Sequence, residues 1–416
     1  MVEHAELSRR RFLGAVAAGF AGQAVPLTGI NPAHAAGVGS GYWHTLGNRI
    51  LDANGNPVRI AGINWYGFET TNRVPHGLWS VDYRGLMDRI RNLGYNTIRL
   101  PFSNQMISDN VVPSAVSFNS SSGPINQDLR GLTSVEVMDK IVTYAGAIGL
   151  KIILDNHRST AGNSAEQNGL WYTAEFPHQT WIDHWVMLAE RYRGNPTVVA
   201  VDLRNEPHNP SNKPYGTGGV WGSGNPANDW RLAAEAGGNA VLAANPALLI
   251  VVEGVGDYRR PDGTVVSTWW GGNLQGAADH PVRLNVANRL VYSPHDYGPN
   301  LFRQPWFNAG TSYQSLSQVW HTNWAYLHAS ATAPVWVGEF GTGNRSLDVS
   351  DTKPGSQGQW FSSIVRFLSE NPAIGWTYWA LNGEDPYGLL NKQYGPTPAS
   401  PAKQQLLQGV QFPLSP

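Results

Sequence analysis

Short apolar runs recur along the chain from Gly41 onward. Between them lie stretches whose apolar residues repeat every three or four positions. The runs cover residues 59–65, 96–102, 151–157, 198–206, 247–254, 290–297, 334–341 and 375–382. They are short for helices and apolar on both faces, which is the pattern of parallel strands covered on both sides. The intervening stretches read as helices. Ser80 is the expected cap of a first helix bearing Leu86, Ile90 and Leu93 and stopped by Gly94. Thr133 and Glu136 form a capping-box pair ahead of Met138, Ile141, Val142, Ala145 and Ile148. Further helices are expected over 181–192, 229–243, 312–329, 356–370, where Ser356 and Gln359 suggest another capping box, and 401–408. A long polar loop is expected from Ser103 to Gly131. Ahead of the first strand, Asn54-Gly55 sits between Ile50-Leu51 and Val58, a hairpin signal. The expected fold is α/β: a single (β/α)8 TIM barrel whose N-terminal β-hairpin plugs the lower end. An open doubly wound sheet lacks its Gly-rich phosphate turn after the first strand.

In such a barrel the strand ends converge on one face, and the polar residues there carry the chemistry. The run ending at Val201 continues as Asp202-Leu203-Arg204-Asn205-Glu206-Pro207, and a later run ends in Gly338-Glu339-Phe340-Gly341. Both place a glutamate at a strand end, far apart in the chain and close together only if the barrel closes. Arg99, His157, Asn205, His295, Tyr297 and Trp379 stand at or near other strand ends. Taken singly, each has an ordinary explanation as an ion pair, a rim histidine or a core ring. Two glutamates with all of these on one rim point instead to paired carboxyls that cleave a glycosidic bond. Glu206 suits the acid/base and Glu339 the nucleophile. Arg99 and Tyr297 are placed to hold Glu339, Asn205 to grip a sugar hydroxyl, and Trp379 to stack under a sugar. Glu253, which also ends a strand, reads as structural.

Composition narrows the choice. The net charge is −1 and charged residues make up 14% of the chain, so no basic excess suggests nucleic acid or an anionic membrane as partner. The 17 Trp and 16 Tyr suit both a heavy aromatic core and a groove that stacks on sugars. There is no Cys, hence no disulfide and no thiolate metal site. No His-Glu-x-x-His occurs, and Asp155 with His157 is a poor chelating pair, so no metal and no cofactor are expected. Ser40 lies among glycines, but not in the strand–turn–helix setting of a hydrolase nucleophile. At the N-terminus, Arg9-Arg10-Arg11-Phe12-Leu13 precedes a weakly apolar stretch and Ala33-His34-Ala35. That order reads as a twin-arginine signal peptide over 1–35, leaving 36–416 as the catalytic domain of a secreted or periplasmic protein.

These residues together resemble family 5 of the glycoside hydrolases, closest to its bacterial endo-β-1,4-glucanase (cellulase) subgroup. The motifs that carry the resemblance are Gly62-Ile63-Asn64-Trp65, Gly94-Tyr95-Asn96-Thr97-Ile98-Arg99-Leu100-Pro101, Asn205-Glu206-Pro207-His208, Trp269-Trp270-Gly271-Gly272 and Gly338-Glu339-Phe340-Gly341. The resemblance implies retention of configuration without a cofactor, Glu206 as acid/base and Glu339 as nucleophile. It matches Arg99, His157, Asn205, His295, Tyr297 and Trp379 to active-site positions, and Trp79 and Trp270 to the cleft lining. Asn156 stands where relatives often carry Arg. The expected partner is a β-glucan chain bound by a monomer. The alternatives are another β-glycan (mannan, xyloglucan or mixed-linkage glucan) and a carbohydrate-binding barrel without catalysis.

Overall fold

The computed structural model describes residues 38–412; the leader read over 1–35 lies outside them. Eight parallel strands form one sheet: β1 (Ala61–Asn64), β2 (Thr97–Ser103), β3 (Lys151–Arg158), β4 (Val198–Asp202), β5 (Leu249–Glu253), β6 (Leu290–Ser293), β7 (Trp336–Phe340) and β8 (Gly375–Tyr378). Neighbours follow chain order from β1 to β6, and β8 joins β1 on one side and β7 on the other. The remaining seam, between β6 and β7, closes through the bridges Tyr292 to Val335 and His295 to Glu339. The sheet is therefore the expected (β/α)8 barrel.

Helices follow every strand but β5: α1 (Tyr83–Asn92), α2 (Ser134–Ala147), α3 (His178–Arg191), α4 (Trp230–Ala244), α5 (Tyr313–Trp320), α6 (Gln357–Glu370) and α7 (Pro401–Gln408). After β5 come a small antiparallel strand pair, Asp257–Arg259 with Val265–Ser267, and a 3-10 turn, Gln275–Ala277. Helix α5 continues through a π-turn, His321–Ala325, to Tyr326–Ala329. The apolar stripes are those read from the periodicity: Leu86, Met87 and Ile90 of α1, and Met138, Ile141, Val142 and Ala145 of α2, are all buried.

Several local readings change. The cap of α1 is Asp82, whose side chain accepts from the N–H of Arg84, because Ser80 is occupied in the preceding turn with the carbonyl of Gly77. Thr133 and Glu136 do form a reciprocal box. Ser356 caps α6, but the Gln359 amide reaches past it to the N–H of Gly355, so no reciprocal box forms. The span after β2 is not all loop: Ser103 caps a helix, Asn104–Asp109, and a two-residue strand pair and a 3-10 turn follow.

The N-terminal segment forms a hairpin, but its turn is at Gly47-Asn48, joining His44–Leu46 to Arg49–Leu51, and not at Asn54-Gly55 as expected. The Asn54-Gly55 turn makes a second, shorter reversal that brings Pro57 back against Leu51. Trp43, Ile50, Val58 and Ile60 pack against Ile153, Val199, Val251, Val291 and Trp336. These strand residues point into the barrel, so the hairpin closes its lower end. The larger apolar layer lies between sheet and helices.

Candidate active site

Barrel closure brings the two glutamates together. An oxygen of each, with a ring nitrogen of His295, lies in a set whose members are all within 4.8 Å of one another. Glu339 is in β7 and nearly buried. Its Oε1 accepts from Arg99 Nη1 at 2.7 Å and its Oε2 from the Tyr297 hydroxyl at 2.7 Å. Both oxygens are thus engaged by donors that set the plane of the carboxylate. Burial and the charges of Glu339 and Glu206 raise the Tyr297 pKa well above its usual value, so the phenol remains a donor.

Glu206 stands past the end of β4 with its side chain 17% exposed, so it faces the opening. Its backbone φ is +49°, in the left-handed region that costs a non-glycine residue about 1–3 kcal/mol unless its surroundings enforce it. Here they do. Its N–H donates to Glu253 Oε2 at 2.7 Å, and its carbonyl lies 2.7 Å from His208 Nδ1. A Cβ on Gly271 would sit 2.5 Å from that same Glu253 oxygen, so only glycine fits there. Glu206 Oε1 lies 3.0 Å from His295 Nδ1. Burial raises the Glu206 pKa; His295 opposes the shift and the charge of Glu339 adds to it. The result is a carboxyl that keeps its proton to higher pH than an ordinary glutamate.

Under both glutamates lies a charged layer centred on Arg99, which is wholly buried. Arg99 is not near the tip of its strand, as expected, but inside β2, four residues before its end, and it points into the barrel. Its Nε donates to Asp202 at 3.0 Å, and its Nη2 to Asn205 Oδ1 at 3.1 Å and Glu253 at 3.0 Å, with Asp155 at 3.1 Å. Its Nη1 reaches Asn64 Oδ1 at 3.0 Å as well as Glu339. Burial opposes its charge, but the carboxylates of Asp155, Asp202, Glu339 and Glu253 prevail and raise its pKa well above normal. Asp202 is also raised, and for a carboxyl that favours the neutral form: burial and the charge of Glu253 push it well above its usual value. Oxygens of Asp155, Asp202 and Glu253 lie within 4.8 Å of one another, a spacing that would suit a cation. The guanidinium already fills that place.

His295 is also fully buried, with Nε2 3.2 Å from Glu253 Oε1 and Nδ1 3.6 Å from Glu339 Oε2. Burial lowers its pKa, but Glu253, Glu339 and the bond to Glu206 raise it well above the usual histidine value. His157 bonds Asp155 through Nδ1 at 2.7 Å, so those two residues are partners of each other rather than co-ligands. The Asn205 oxygen is taken by Arg99, which leaves its amide nitrogen to donate.

Aromatic rings extend from this centre in two directions. On the β8 and β1 side, His157 stacks on Trp379 (centroids 5.5 Å, 17°) and Trp379 on Tyr66 (5.3 Å, 15°). Tyr66 meets His76 and His76 meets Trp79, edge to face at 5.1 and 5.0 Å. Trp79, 36% exposed, is the outer end of this file. Trp270, in the loop after β5, stacks on His208 at 3.6 Å and 3°. Strands β1 and β5 are opposite one another in an eight-stranded barrel, so rings flank the carboxyl pair on both sides.

Every residue named from the sequence therefore lies on or under one face. Glu253, read as structural, is wholly buried and holds Arg99, His295 and the backbone of Glu206. Sequence reasoning missed Asn64, Asp155, Asp202, Tyr66 and His76. The only signal was a polar residue in or ending an apolar strand: Asp155 inside β3, Asn64 and Asp202 at the ends of β1 and β4. Most tryptophans serve the scaffold. The indoles of Trp181 and Trp185 both donate to the Leu203 carbonyl at 3.0 Å, and that of Trp230 to the Glu253 carbonyl at 2.8 Å. Helices α3 and α4 thereby pin the ends of β4 and β5, from which Glu206 and its support project.

The sequence profile of the family described as cellulase (glycosyl hydrolase family 5) matches residues 51–385. An endoglucanase of Paenibacillus polymyxa is 43% identical over 376 residues, which is 90% of this chain and 88% of the relative. The major extracellular endoglucanase of Xanthomonas campestris pv. campestris is 34% identical, over 86% of this chain and 69% of its own length. Among solved structures, a cellotetraose complex of the endocellulase from Pyrococcus horikoshii superposes with a TM-score of 0.79 at 34% identity, covering 90% of this chain and all of that one.

Proposed function

Because this chain belongs to glycosyl hydrolase family 5, we propose that Glu206 and Glu339 are the two carboxyls of an endoglucanase that cleaves internal β-1,4-glucosidic bonds with retention. The observation that carries the proposal is the proximity of the two carboxyls, within 4.8 Å at their nearest oxygens. A retaining enzyme keeps its carboxyls about 5–5.5 Å apart so that one can attack directly, whereas an inverting enzyme leaves room for water. In the first step Glu339 attacks the anomeric carbon, and Glu206 gives its proton to the departing glycosidic oxygen. A glycosyl ester of Glu339 and a shortened glucan result. In the second step Glu206 takes a proton from water, whose oxygen attacks the same carbon and releases Glu339. Two displacements restore the β configuration. Asn205 donates to the hydroxyl beside the reacting carbon, Trp379 carries the sugar being cleaved, and Trp79 and Trp270 extend the cleft on either side. Rings on both sides of the carboxyl pair suit a polymer lying across it, which endo cleavage requires.

Proton NMR of a cello-oligosaccharide digest tests the stereochemistry. The β-anomer appears first and the α-anomer grows only by mutarotation; an α-anomer formed first sinks the assignment. Reducing-sugar release from soluble cellulose, barley β-glucan, mannan, xyloglucan and xylan tests the substrate. Main activity on mannan or another backbone would keep the mechanism and replace the glucan.

The acid/base role sets a pH dependence. The first step needs protonated Glu206, so kcat/KM falls as pH rises through its pKa. That limb lies above the ordinary glutamate value of 4.5, because burial raises Glu206. Glu206→Gln, assayed on an aryl cellobioside whose phenol leaves without protonation, should lose this limb. A limb unchanged in that variant would assign it to another group.

We further propose export as a monomer by the twin-arginine leader, with 36–416 as the exported domain. One finding supports export: the Xanthomonas relative is described as extracellular.

A further inference from the structure

Helix α7, the last among the described residues, carries a lysine that is 0% exposed, Lys403. Burying an ammonium is costly unless donors and acceptors match. Here four oxygens ring its Nζ: Asn344 Oδ1 at 2.7 Å and the carbonyls of Tyr387, Gly388 and Thr342 at 2.9, 3.1 and 3.2 Å. The ring of Tyr378 lies 5.2 Å away. Thr342 and Asn344 are in the loop that leaves β7. Tyr387 and Gly388 are in the loop that leaves β8. One ammonium from outside the barrel thus ties together the segments that follow Glu339 and Trp379. The Tyr378 hydroxyl, 2.9 Å from the Thr342 carbonyl and 2.8 Å from that of Tyr387, has one proton for the two. Lys403 supplies the donors that Tyr378 lacks.

Two routes lead from this cage to the carboxyl pair. The ring of Tyr387 packs beside that of Tyr297 (centroids 6.1 Å, 31°), whose hydroxyl bonds Glu339. The backbone N–H of Tyr387 donates to Asp385 Oδ1 at 2.7 Å, and Asp385 Oδ2 accepts from the Trp379 indole at 3.1 Å. The loops are also closely fitted: a Cβ on Gly341 would meet the Trp379 carbonyl at 2.4 Å.

We propose that Lys403 is a positioning residue of this active site: its caged ammonium fixes the loops after β7 and β8, and through Tyr387 and Asp385 it sets the placement of Tyr297, Glu339 and Trp379. The inference rests on the roles given above to Glu339 and Trp379. Lys403 touches no substrate and acts only through other residues. A shift of about 1 Å in catalytic groups can cost up to about a hundredfold in rate.

The test is chemical rescue. Lys403→Ala removes three carbons and the ammonium, the shape of n-propylammonium. On a soluble cello-oligosaccharide, well below the melting temperature of the variant, kcat should fall roughly tenfold or more. Added n-propylammonium should restore most of it, and 1-propanol at the same concentration should not. Lys403→Met, which keeps the stem and loses the charge, should show the same fall without rescue, and it decides the matter if the alanine variant does not fold. Folded variants with wild-type kcat, or equal rescue by propanol, would overturn the proposal. Glu339→Gln is assayed alongside. Full activity there would instead remove the reading of Glu339 on which this inference rests.

Discussion

Glu339→Gln should leave a folded protein that binds cello-oligosaccharides and cleaves them about 10⁴-fold more slowly or worse, a loss of roughly 5 kcal/mol in transition-state stabilisation. The fold survives because the amide is isosteric. Its oxygen still accepts from Arg99 Nη1, and the Tyr297 hydroxyl can turn to accept from the new NH2. What is lost is the attacking oxygen. Calorimetric binding of cellotetraose together with initial rates separates the two effects, and a variant that retained even a tenth of the wild-type kcat would remove Glu339 from the mechanism. The alanine variant gives a stereochemical check. It empties the space beneath the sugar, so azide can enter from the side opposite the leaving group. The product should be an α-glycosyl azide, with a single inversion in place of two.

Arg99→Met should cost about 3–5 kcal/mol of stability, the usual penalty for removing one member of a buried ionic group and leaving the others unpaired. Four carboxyl groups surround the guanidinium: Asp155, Asp202, Glu253 and Glu339. Without it, three of them face one another at under 4.8 Å, with only His157 beside Asp155 and His295 beside Glu253 to offset them. The carboxyls of the variant then have folded-state pKa values raised above their unfolded ones, so the deficit is largest at neutral pH and narrows as acid protonates them. Urea midpoints for wild type and variant at pH 7 and pH 5 measure this directly. A deficit that did not shrink at pH 5 would mean that Arg99 matters for packing rather than charge. Lysine is a poor substitute, because one ammonium cannot reproduce the fork that reaches Asp202, Asn205, Glu253, Asn64 and Glu339 at once.

The sequence carried the outline of this site better than its depth. A glutamate after an apolar run is legible because a strand end is where apolar patterning stops, so Glu206 and Glu339 stood out. Asp155 and Asp202 did not. Asp155 lies within its strand and Asp202 ends its own, and an isolated carboxyl in an apolar run looks the same whether it meets a guanidinium or nothing. Their partner Arg99 was read near the tip of its strand, but it lies mid-strand in β2, which runs from Thr97 to Ser103. The support that Glu253 gives to the backbone of Glu206 follows from a left-handed φ at a residue where nothing in Asn-Glu-Pro announces one. Likewise the helix Asn104–Asp109 is too short and too polar for periodicity to reveal, and its cap at Ser103 is simply the last residue of the strand.

The distribution of indoles has an optical consequence. Eleven tryptophans are fully enclosed, including Trp181, Trp185 and Trp230, while Trp79, Trp270 and Trp379 are among the few that reach the cleft. Emission from the intact protein is therefore dominated by chromophores that no sugar approaches, and they form a constant blue background. A glucan settling in the cleft quenches or shifts only a minor, red-edge share of the light. Titrations followed at long emission wavelengths read occupancy, whereas those followed near the blue maximum read the integrity of the strand ends that the buried indoles hold.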